Sequence, residues 1–388
     1  MHLHFHDESI CTLPMWESTV TYGESGMFIG EEAEFALLFP PRKILSVTSS
    51  DLKETYHEGV DYVVTPEGRI RRVAGGNTPF ISEADYYADN PEWYLVTKYN
   101  GRDVHTYCGE NMSKLQICVT YTHGMPTDAP TPTDYSYRYE AFLNKLKNGE
   151  DVTVLFLGDS ITAGASSSYL CGRPPYMYPW TIMSVHELAR RYEYRVRHLQ
   201  TGLEKVGKCP EEDAVYGNRG TITYINTGVG GWRIKTGILH YEERVSRWIK
   251  EYGCDLFILA FGMNDKTVTT EEEIADFRTI LDRVHEESPS TSLLTVATML
   301  PNPEANERWN TVQHTYEAAM LPMAEDYYSR GIPCSVVPMT TMSRWILSHK
   351  RFCDVSGNNI NHPNDFIVRL YAATLLQTLT GKASETQE

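Results

Sequence analysis

The sequence has no apolar run long enough to cross a bilayer, since its longest, Leu256–Met263, is only the length of a β-strand. It also has no C-x-x-C pair, and its eight cysteines are too scattered for a disulfide scaffold or a closed zinc site. The first residues lack the basic start and apolar core of a secretory signal. We therefore expect a cytoplasmic protein with reduced thiols, no membrane association, no metal and no cofactor.

Basic clusters are lacking as well. The chain has 35 lysines and arginines against 51 aspartates and glutamates, which gives a net charge of -16 at pH 7. Such a chain repels a phosphate backbone, so we expect no nucleic-acid partner. Its 388 residues, 41% hydrophobic and 22% charged, suit two globular domains and exclude a chain that is mainly disordered.

The N-terminal part has little helical periodicity. Short stretches rich in β-branched and aromatic residues alternate there with turn residues, which is typical of strands. The predicted strands are Ser18–Tyr22, Ala33–Phe39, Asp61–Val64, Trp93–Lys98 and Leu115–Tyr121. We predict an N-terminal β-sandwich of the jelly-roll kind over residues 1–134, closed by the proline-rich linker Gly124–Asp134.

Residues 135–388 alternate between apolar strands and amphipathic helices. The predicted strands are Val152–Leu157, Ile222–Asn226, Leu256–Phe261, Leu293–Met299 and Cys334–Val337. The predicted helices are Tyr135–Asn148, Tyr178–Tyr194, His240–Glu251, Glu271–Glu286, Thr311–Ser329 and Asp365–Leu379. This pattern predicts an α/β domain whose parallel sheet is covered on both faces and whose ligand crevice lies at the carboxyl ends of the strands.

A serine follows the first of these strands directly, in VLFLGDSITAG. Ser160 is therefore a candidate nucleophile, although a Ser or Asp in this place is also typical of a helix cap. We interpret Asp159 as a residue that supports the turn. The glycine-rich INTGVGGW follows a second strand and ends with Gly231 and Trp232, where bare backbone N–H groups could approach a ligand.

Asn264 follows a third strand in LFILAFGMND, and its amide suits either an oxyanion donor or an Asx turn. His362 lies in the loop GNNINHPNDF just before the last helix. In this order, the segments around Ser160, Gly231, Asn264 and His362 resemble the SGNH hydrolases, also called the GDSL esterase superfamily. The resemblance implies a three-layer α/β/α fold, a Ser160–His362 catalytic pair, and an oxyanion hole formed by Ser160, Gly231 and Asn264.

One position departs from that pattern. The superfamily has an aspartate three residues before the histidine, where this chain has Asn359. In serine hydrolases the acid orients the imidazole and stabilises its charged form. Asn359 or Asp354 could take that part, whereas Asp365 is better suited to the N-terminus of the last helix. A β-sandwich ahead of such a domain is similar to the two-domain acetyl esterases of carbohydrate esterase family 2. The resemblance to that family implies a Ser–His dyad in which a backbone carbonyl, and not a carboxylate, holds the imidazole N–H.

These features predict a carbohydrate O-acetylesterase, a serine enzyme acting on acetylated oligosaccharides from plant xylan or mannan. Trp232 is the expected sugar-stacking residue and Arg233 its polar neighbour, with Trp180, Trp309 and Trp345 as weaker candidates. The alternatives are a lipid-type esterase or thioesterase on the same fold, or an inactive carbohydrate-binding protein. An acidic enzyme with an appended β-sandwich is also compatible with a homo-oligomer.

Overall fold

The N-terminal part consists of small antiparallel sheets. The computed structural model describes residues 8–87, 94–99, 102–106, 111–201, 209–304, 309 and 311–381, with backbone only for 8–9, 94–99, 102–106 and 111. Its strands are β1 (Val20–Met27), β2 (Glu34–Phe35), β3 (Pro41–Ser49), β4 (Tyr62–Val64), β5 (Ile70–Arg72), β6 (Tyr94–Tyr99), β7 (Arg102–Thr106) and β8 (Gln116–His123). They pair in the orders β1-β8-β3, β2-β5-β4 and β6-β7. Short helical segments accompany them at Glu8–Thr12, α1 (Glu83–Tyr86) and α2 (Asn111–Lys114). Trp93, in one predicted strand, lies outside the described residues.

The longest of these strands, β3, is absent from the sequence prediction. It begins at Pro41, and of its nine residues only Val47 is buried. Proline is tolerated at the first residue of an edge strand, and β3 lies at the edge of its sheet. A mostly exposed edge strand lacks the apolar alternation by which strands are recognised.

The C-terminal part is built on a seven-stranded sheet. Its strands are β9 (Val152–Gly158), β10 (Arg195–Leu199), β11 (Ala214–Val215), β12 (Thr221–Asn226), β13 (Leu256–Ala260), β14 (Ser292–Val296) and β15 (Cys334–Val337). Their order is β11-β10-β12-β9-β13-β14-β15, and all pairs are parallel except β10 with the edge strand β11. The predicted fold class is confirmed: antiparallel sheets precede an α/β domain with a mostly parallel sheet.

Helices cover both faces of this sheet. They are α3 (Glu140–Asn148), α4 (Ser160–Ala163), α5 (Trp180–Tyr192), α6 (Ile234–Leu239), α7 (Arg247–Tyr252), α8 (Thr270–Glu287), α9 (Gln313–Ser329), α10 (Met339–His349), α11 (Phe352–Val355) and α12 (Asp365–Thr380). A 3₁₀ turn at Ser136–Arg138 precedes α3, and a π turn at Glu242–Ser246 precedes α7. Val154 and Phe156 of β9 pack in a core with α5 and α12, whereas Leu155 and Leu157 pack with α8 and α9 on the other face. This alternation follows from the two-residue period of a strand.

The antiparallel sheets pack directly against the C-terminal part. One hydrophobic core runs through both, from Phe28 and Tyr121 to Phe366. Glu24 of β1 forms an ion pair with Lys350 at 2.7 Å, and both side chains are fully buried. The boundary after residue 134 stays a prediction. Within the described ranges, no helix is both long enough and apolar enough to cross a membrane.

Candidate active site

The sheet order brings three of the four predicted motifs together. Strands β12, β9 and β13 are neighbours, and they run parallel. The loop with Gly231 follows β12, Ser160 follows β9, and the loop with Asn264 follows β13. Because parallel strands end at one edge of a sheet, these loops meet in a single crevice.

Ser160 is the first residue of α4, immediately after the turn that ends β9. Asp159 caps this helix, as predicted, because its Oδ1 accepts a hydrogen bond from the Ile161 N–H at 2.9 Å. Burial raises the pKa of Asp159 to about 7. The cap therefore fixes the turn that presents the Ser160 hydroxyl to the crevice.

The glycine-rich loop lies beside Ser160. A Cβ on Gly230 would lie 3.9 Å from the Ser160 Cβ, and Gly231 has the left-handed φ of +78° that favours glycine. The Asn264 side-chain N–H₂ donates to the Trp232 carbonyl at 2.9 Å, which ties the β13 loop to the same turn. Asp265 adds a second tie by accepting from the Ile234 N–H at 3.1 Å. Gly231 and Asn264 thus lie on loops next to Ser160, where the predicted oxyanion donors are needed.

His362 contacts Ser160 directly. Its Nε2 lies 2.9 Å from the Ser160 Oγ, the distance of a hydrogen bond. The loop that carries it is held by Asn358, whose Oδ1 accepts from the N–H groups of Ile360, Asn361 and His362, each at 3.0 Å. The two residues that sequence reasoning paired as nucleophile and base are therefore together.

The other imidazole nitrogen faces a hydroxyl. Nδ1 of His362 lies 3.4 Å from the Oγ of Ser166. Ser166 has φ +69°, a backbone conformation that is uncommon for residues other than glycine and is kept only where the surroundings enforce it. A Cβ on Gly357 would come within 2.3 Å of the Ser166 Cβ, so glycine at 357 leaves the space that Ser166 occupies.

The two predicted orienting residues do not contact this ring. The Asn359 side chain donates to the Tyr86 hydroxyl at 2.7 Å, and its Oδ1 accepts from Asn302 at 3.3 Å. Asp354 accepts from the Met27 N–H at 2.9 Å and pairs with Arg351 at 2.8 Å. Both predictions are corrected for the same reason. Each side chain is held by a hydrogen bond with the N-terminal part, Asn359 as the donor to Tyr86 and Asp354 as the acceptor from Met27.

Trp232 packs against two neighbouring side chains, and its role as a sugar-stacking residue stays a prediction. Its indole stacks on the His240 ring, with centroids 5.0 Å apart, and the guanidinium of Arg244 lies 4.8 Å from it. The ring therefore packs the glycine-rich loop onto α6 and the π turn. Arg233 is exposed, with its Nη1 3.5 Å from the Thr267 hydroxyl on the loop that follows Asn264. Its role as a polar neighbour of the sugar stays a prediction.

The weaker tryptophan candidates lie in different surroundings. Trp180 is 1% exposed and donates to the Ile161 carbonyl, which makes it a core residue. Trp345 packs on Phe39 and His349. Trp309 has the Lys266 ammonium 3.5 Å from its ring centroid, and Lys266 is two residues after Asn264. Of the three, Trp309 is the one tied to a loop of the crevice.

Sequence reasoning missed Ser166, Gly357 and Asn358. The signal for Asn358 was present, since the Gly-Asn-Asn run before His362 is typical of a turn in which an Asn side chain caps backbone N–H groups. Ser166 gave no signal, because it is 196 residues from His362 and only the fold brings the two together.

The comparisons with known proteins identify the family of the chain. Residues 156–365, just over half of the chain, match the model of the GDSL-like lipase/acylhydrolase family. The chain belongs to this family. No curated protein matches the chain.

Solved structures provide more distant similarities. A two-domain esterase active on acetylated mannans, co-crystallised with mannopentaose, is 19% identical; the match covers 67% of this chain and 57% of that one, with a TM-score of 0.44. An acetyl xylan esterase is 15% identical over 58% of this chain and 98% of its own, with a TM-score of 0.39. A Clostridium thermocellum family 3 carbohydrate esterase is 15% identical over 59% and 95%, with a TM-score of 0.40.

Proposed function

We propose that the protein is a serine esterase that removes acetyl groups from oligosaccharides of the xylan or mannan type. The observation that carries the enzymatic part is the 2.9 Å contact between Ser160 Oγ and His362 Nε2 at the carboxyl edge of the sheet. The carbohydrate and acetyl parts are supported by the antiparallel sheets ahead of the GDSL domain, an organisation similar to that of family 2 acetyl esterases. A cytoplasmic location and a homo-oligomer stay predictions.

The proposed reaction is covalent acyl transfer. His362 Nε2 takes the Ser160 proton as Oγ attacks the ester carbonyl, and the same nitrogen then protonates the departing sugar hydroxyl. Water repeats both steps on the acyl-enzyme. The Ser160 and Gly231 backbone N–H groups and the Asn264 amide hold the oxyanion. The Ser166 Oγ accepts from the His362 Nδ1–H, which keeps Nε2 free to act as the base.

The activity should persist to unusually low pH. Burial lowers the pKa of His362 to about 4, and its ring nitrogens face two neutral hydroxyls instead of a carboxylate. The base acts in its neutral form, so kcat/KM should rise through about pH 4 and be level from pH 5, rather than rise near the usual 6.5. Kinetics with an acetyl ester between pH 3.5 and 8 test this, with circular dichroism at each pH to exclude unfolding. A midpoint near 6.5 would contradict the burial argument.

The Ser166 hydroxyl should make a moderate contribution to kcat. A neutral hydrogen bond contributes about 1 kcal/mol, so Ser166→Ala should lower kcat roughly three- to tenfold. Ser166→Asp would place a carboxylate at Nδ1, and it should raise the pKa of His362 and move the acid limb of kcat/KM upward. Ser329→Ala, at the exposed end of α9, is the matched control. If neither Ser166 variant changed kcat or the pH profile, another group would have to hold the imidazole.

Acyl chain length decides between the proposed activity and a lipid-type esterase. Hydrolysis of p-nitrophenyl acetate, butyrate and octanoate is compared, and a sharp fall beyond acetate is expected. NMR detection of acetate released from acetylated xylo- and manno-oligosaccharides then identifies the sugar, with Ser160→Ala as the blank. A preference for octanoate would rule out the acetylesterase proposal. Absence of turnover on every ester would favour the inactive binding protein.

A further inference from the structure

The loop that carries His362 packs against the N-terminal part. This segment, residues 356–364, is called the histidine loop below, and it connects α11 to α12. Its polar residues Ser356, Asn359 and Asn364 are all buried. Buried polar side chains are stable only where they find hydrogen-bond partners, so the position of the histidine loop depends on those partners.

Gln116, the first residue of β8, holds both ends of the histidine loop. Its buried side-chain Nε2 donates to the carbonyls of Cys353 and Ser356, each at 2.8 Å. Its Oε1 accepts from the Asn364 Nδ2 at 3.2 Å. An amide has two donor hydrogens and one acceptor oxygen, and here all three are engaged. A single side chain of the N-terminal part therefore ties the two ends of the loop together.

Two further residues of the N-terminal part bond the same loop. The Ser25 hydroxyl of β1 accepts from the Asn364 Nδ2 at 2.8 Å. The buried Tyr86 hydroxyl of α1 accepts from the Asn359 Nδ2 at 2.7 Å. Asn359 has the left-handed φ of +60°, so the chain turns at this residue. Tyr86 thus holds the loop at its turn, while Ser25 and Gln116 hold it at its ends.

Ser356 connects these contacts to His362. Its Oγ donates to the His362 carbonyl at 2.8 Å and accepts from the Asn359 N–H at 2.9 Å. The Gly357 N–H donates to the same His362 carbonyl at 3.0 Å. Gln116 bonds the carbonyl of Ser356, and Ser356 bonds the carbonyl of His362. Only two hydrogen bonds therefore lie between the N-terminal sheet and the backbone of the proposed base.

The His362 ring itself is held weakly. In a serine triad an acid orients the imidazole. Here the His362 Nδ1 faces the Ser166 hydroxyl at 3.4 Å, a long contact between neutral groups, which restrains a ring less than a charged partner does. The 2.9 Å contact of Nε2 with Ser160 therefore depends on the backbone of the histidine loop. A displacement of about 1 Å at a reacting group can lower the rate about a hundredfold.

We propose that the N-terminal part is a positioning element of the active site, in which Gln116 and Tyr86 hold the histidine loop so that His362 stays in contact with Ser160. The inference rests on the proposed esterase function and deepens it. It gives the antiparallel sheets a role in turnover that a separate sugar-binding appendage would not have. Gln116 and Tyr86 are positioning residues, because they act through the loop and not on the reacting atoms.

Steady-state kinetics of the full chain on p-nitrophenyl acetate test the proposal. Gln116→Met keeps the size of the side chain and removes its hydrogen bonds, so kcat should fall about ten- to hundredfold while KM changes little. Tyr86→Phe removes one hydroxyl, and kcat should fall about three- to tenfold. Thermal melts identify the variants that fold, and Tyr86→Phe covers the case in which Gln116→Met does not.

Tyr121→Phe is the matched control. Tyr121 lies on β8 with Gln116 and is 0% exposed, against 1% for Tyr86. Its hydroxyl donates to Glu24 at 2.6 Å and accepts from the Phe39 N–H at 3.2 Å, both within the N-terminal part. The substitution therefore removes an equally buried hydroxyl away from the histidine loop. It should lower the melting temperature and leave kcat within about twofold of the unaltered enzyme.

NMR of the imidazole nitrogens, in protein labelled at histidine, gives a readout that needs no turnover. The His362 signals are assigned with His362→Ala. Its two nitrogens should give well separated signals in the unaltered protein and in Tyr121→Phe, because one tautomer is held. In Gln116→Met the two signals should move toward each other as the tautomers exchange. If the unaltered protein hydrolysed no ester, the esterase proposal would fail, and this comparison would still decide the positioning.

The positioning role is overturned by either of two results. In the first, folded Gln116→Met and Tyr86→Phe keep the kcat and the His362 signals of the unaltered protein. In the second, Tyr121→Phe loses as much kcat as Tyr86→Phe, which would mean that the losses reflect stability and not the position of His362.

Discussion

Replacing Ser160 or His362 by alanine should remove esterase activity almost entirely. Ser160 supplies the oxygen that becomes acylated, and His362, with its Nε2 2.9 Å away, supplies the base and acid. We expect kcat to fall by at least about four orders of magnitude in either variant. Because the two act as one unit, the double variant should be no slower than the single ones.

The measurement is kcat on an acetyl ester, with thermal melts to show that each variant folds. Ser329→Ala is the control for the loss of a serine hydroxyl far from the crevice. A fluorophosphonate reagent supplies an independent readout, since it should label the unaltered protein on the peptide with Ser160 and leave Ser160→Ala unlabelled. Substantial turnover in either single variant would refute the catalytic pair.

The central strands were predictable because a strand that is buried on both faces is apolar along its whole length. Strands β9, β13 and β15 are buried along their full length, which appears as unbroken apolar runs. Strand β10 was missed although its pattern was present: Val196 and His198 are buried and alternate with the exposed Arg195 and Arg197.

Helix α10 was missed for a different reason. Its buried residues Met339, Met342 and Ile346 have helical spacing, so the periodicity was available. Strand β15 and Pro338 precede it directly, and a proline in that position is equally typical of a loop. The order of the strands in the sheet has no local signal at all, and that order brings the loops of Gly231, Ser160 and Asn264 together.

The side chain that contacts the His362 Nδ1 could not be predicted from the spacing of residues in the sequence. Closeness in sequence favours Asn359 and Asp354 as partners of His362. The loop, however, turns at Asn359 with φ +60° and sends its side chain to Tyr86. Asp354 instead bonds the Met27 N–H of β1. Both choices depend on contacts with the N-terminal part, which a local pattern does not encode.

A second large loss of kcat is expected when stabilisation of the oxyanion by Asn264 is removed. Asn264 is presented at the end of β13, and its amide lies on the turn that contains Gly231, since it donates to the Trp232 carbonyl at 2.9 Å. The amide nitrogen has two protons, so one can hold this turn while the other stabilises the developing charge. Loss of one oxyanion donor typically costs roughly 3 to 4 kcal/mol. We therefore expect Asn264→Ala to lower kcat by about two to three orders of magnitude with little change in KM.

Asn264→Asp is the sharper variant, because it keeps the size of the side chain and replaces the donor with a negative charge. It should lower kcat further than Asn264→Ala, since the charge would repel the oxyanion directly. A purely structural role predicts a different result. If the amide only held the Trp232 carbonyl, both variants would lower the melting temperature while kcat of the folded protein stayed near that of the unaltered enzyme. Kinetics and thermal melts on the same preparations separate the two, and unchanged turnover in Asn264→Ala would reduce Asn264 to a residue of the turn.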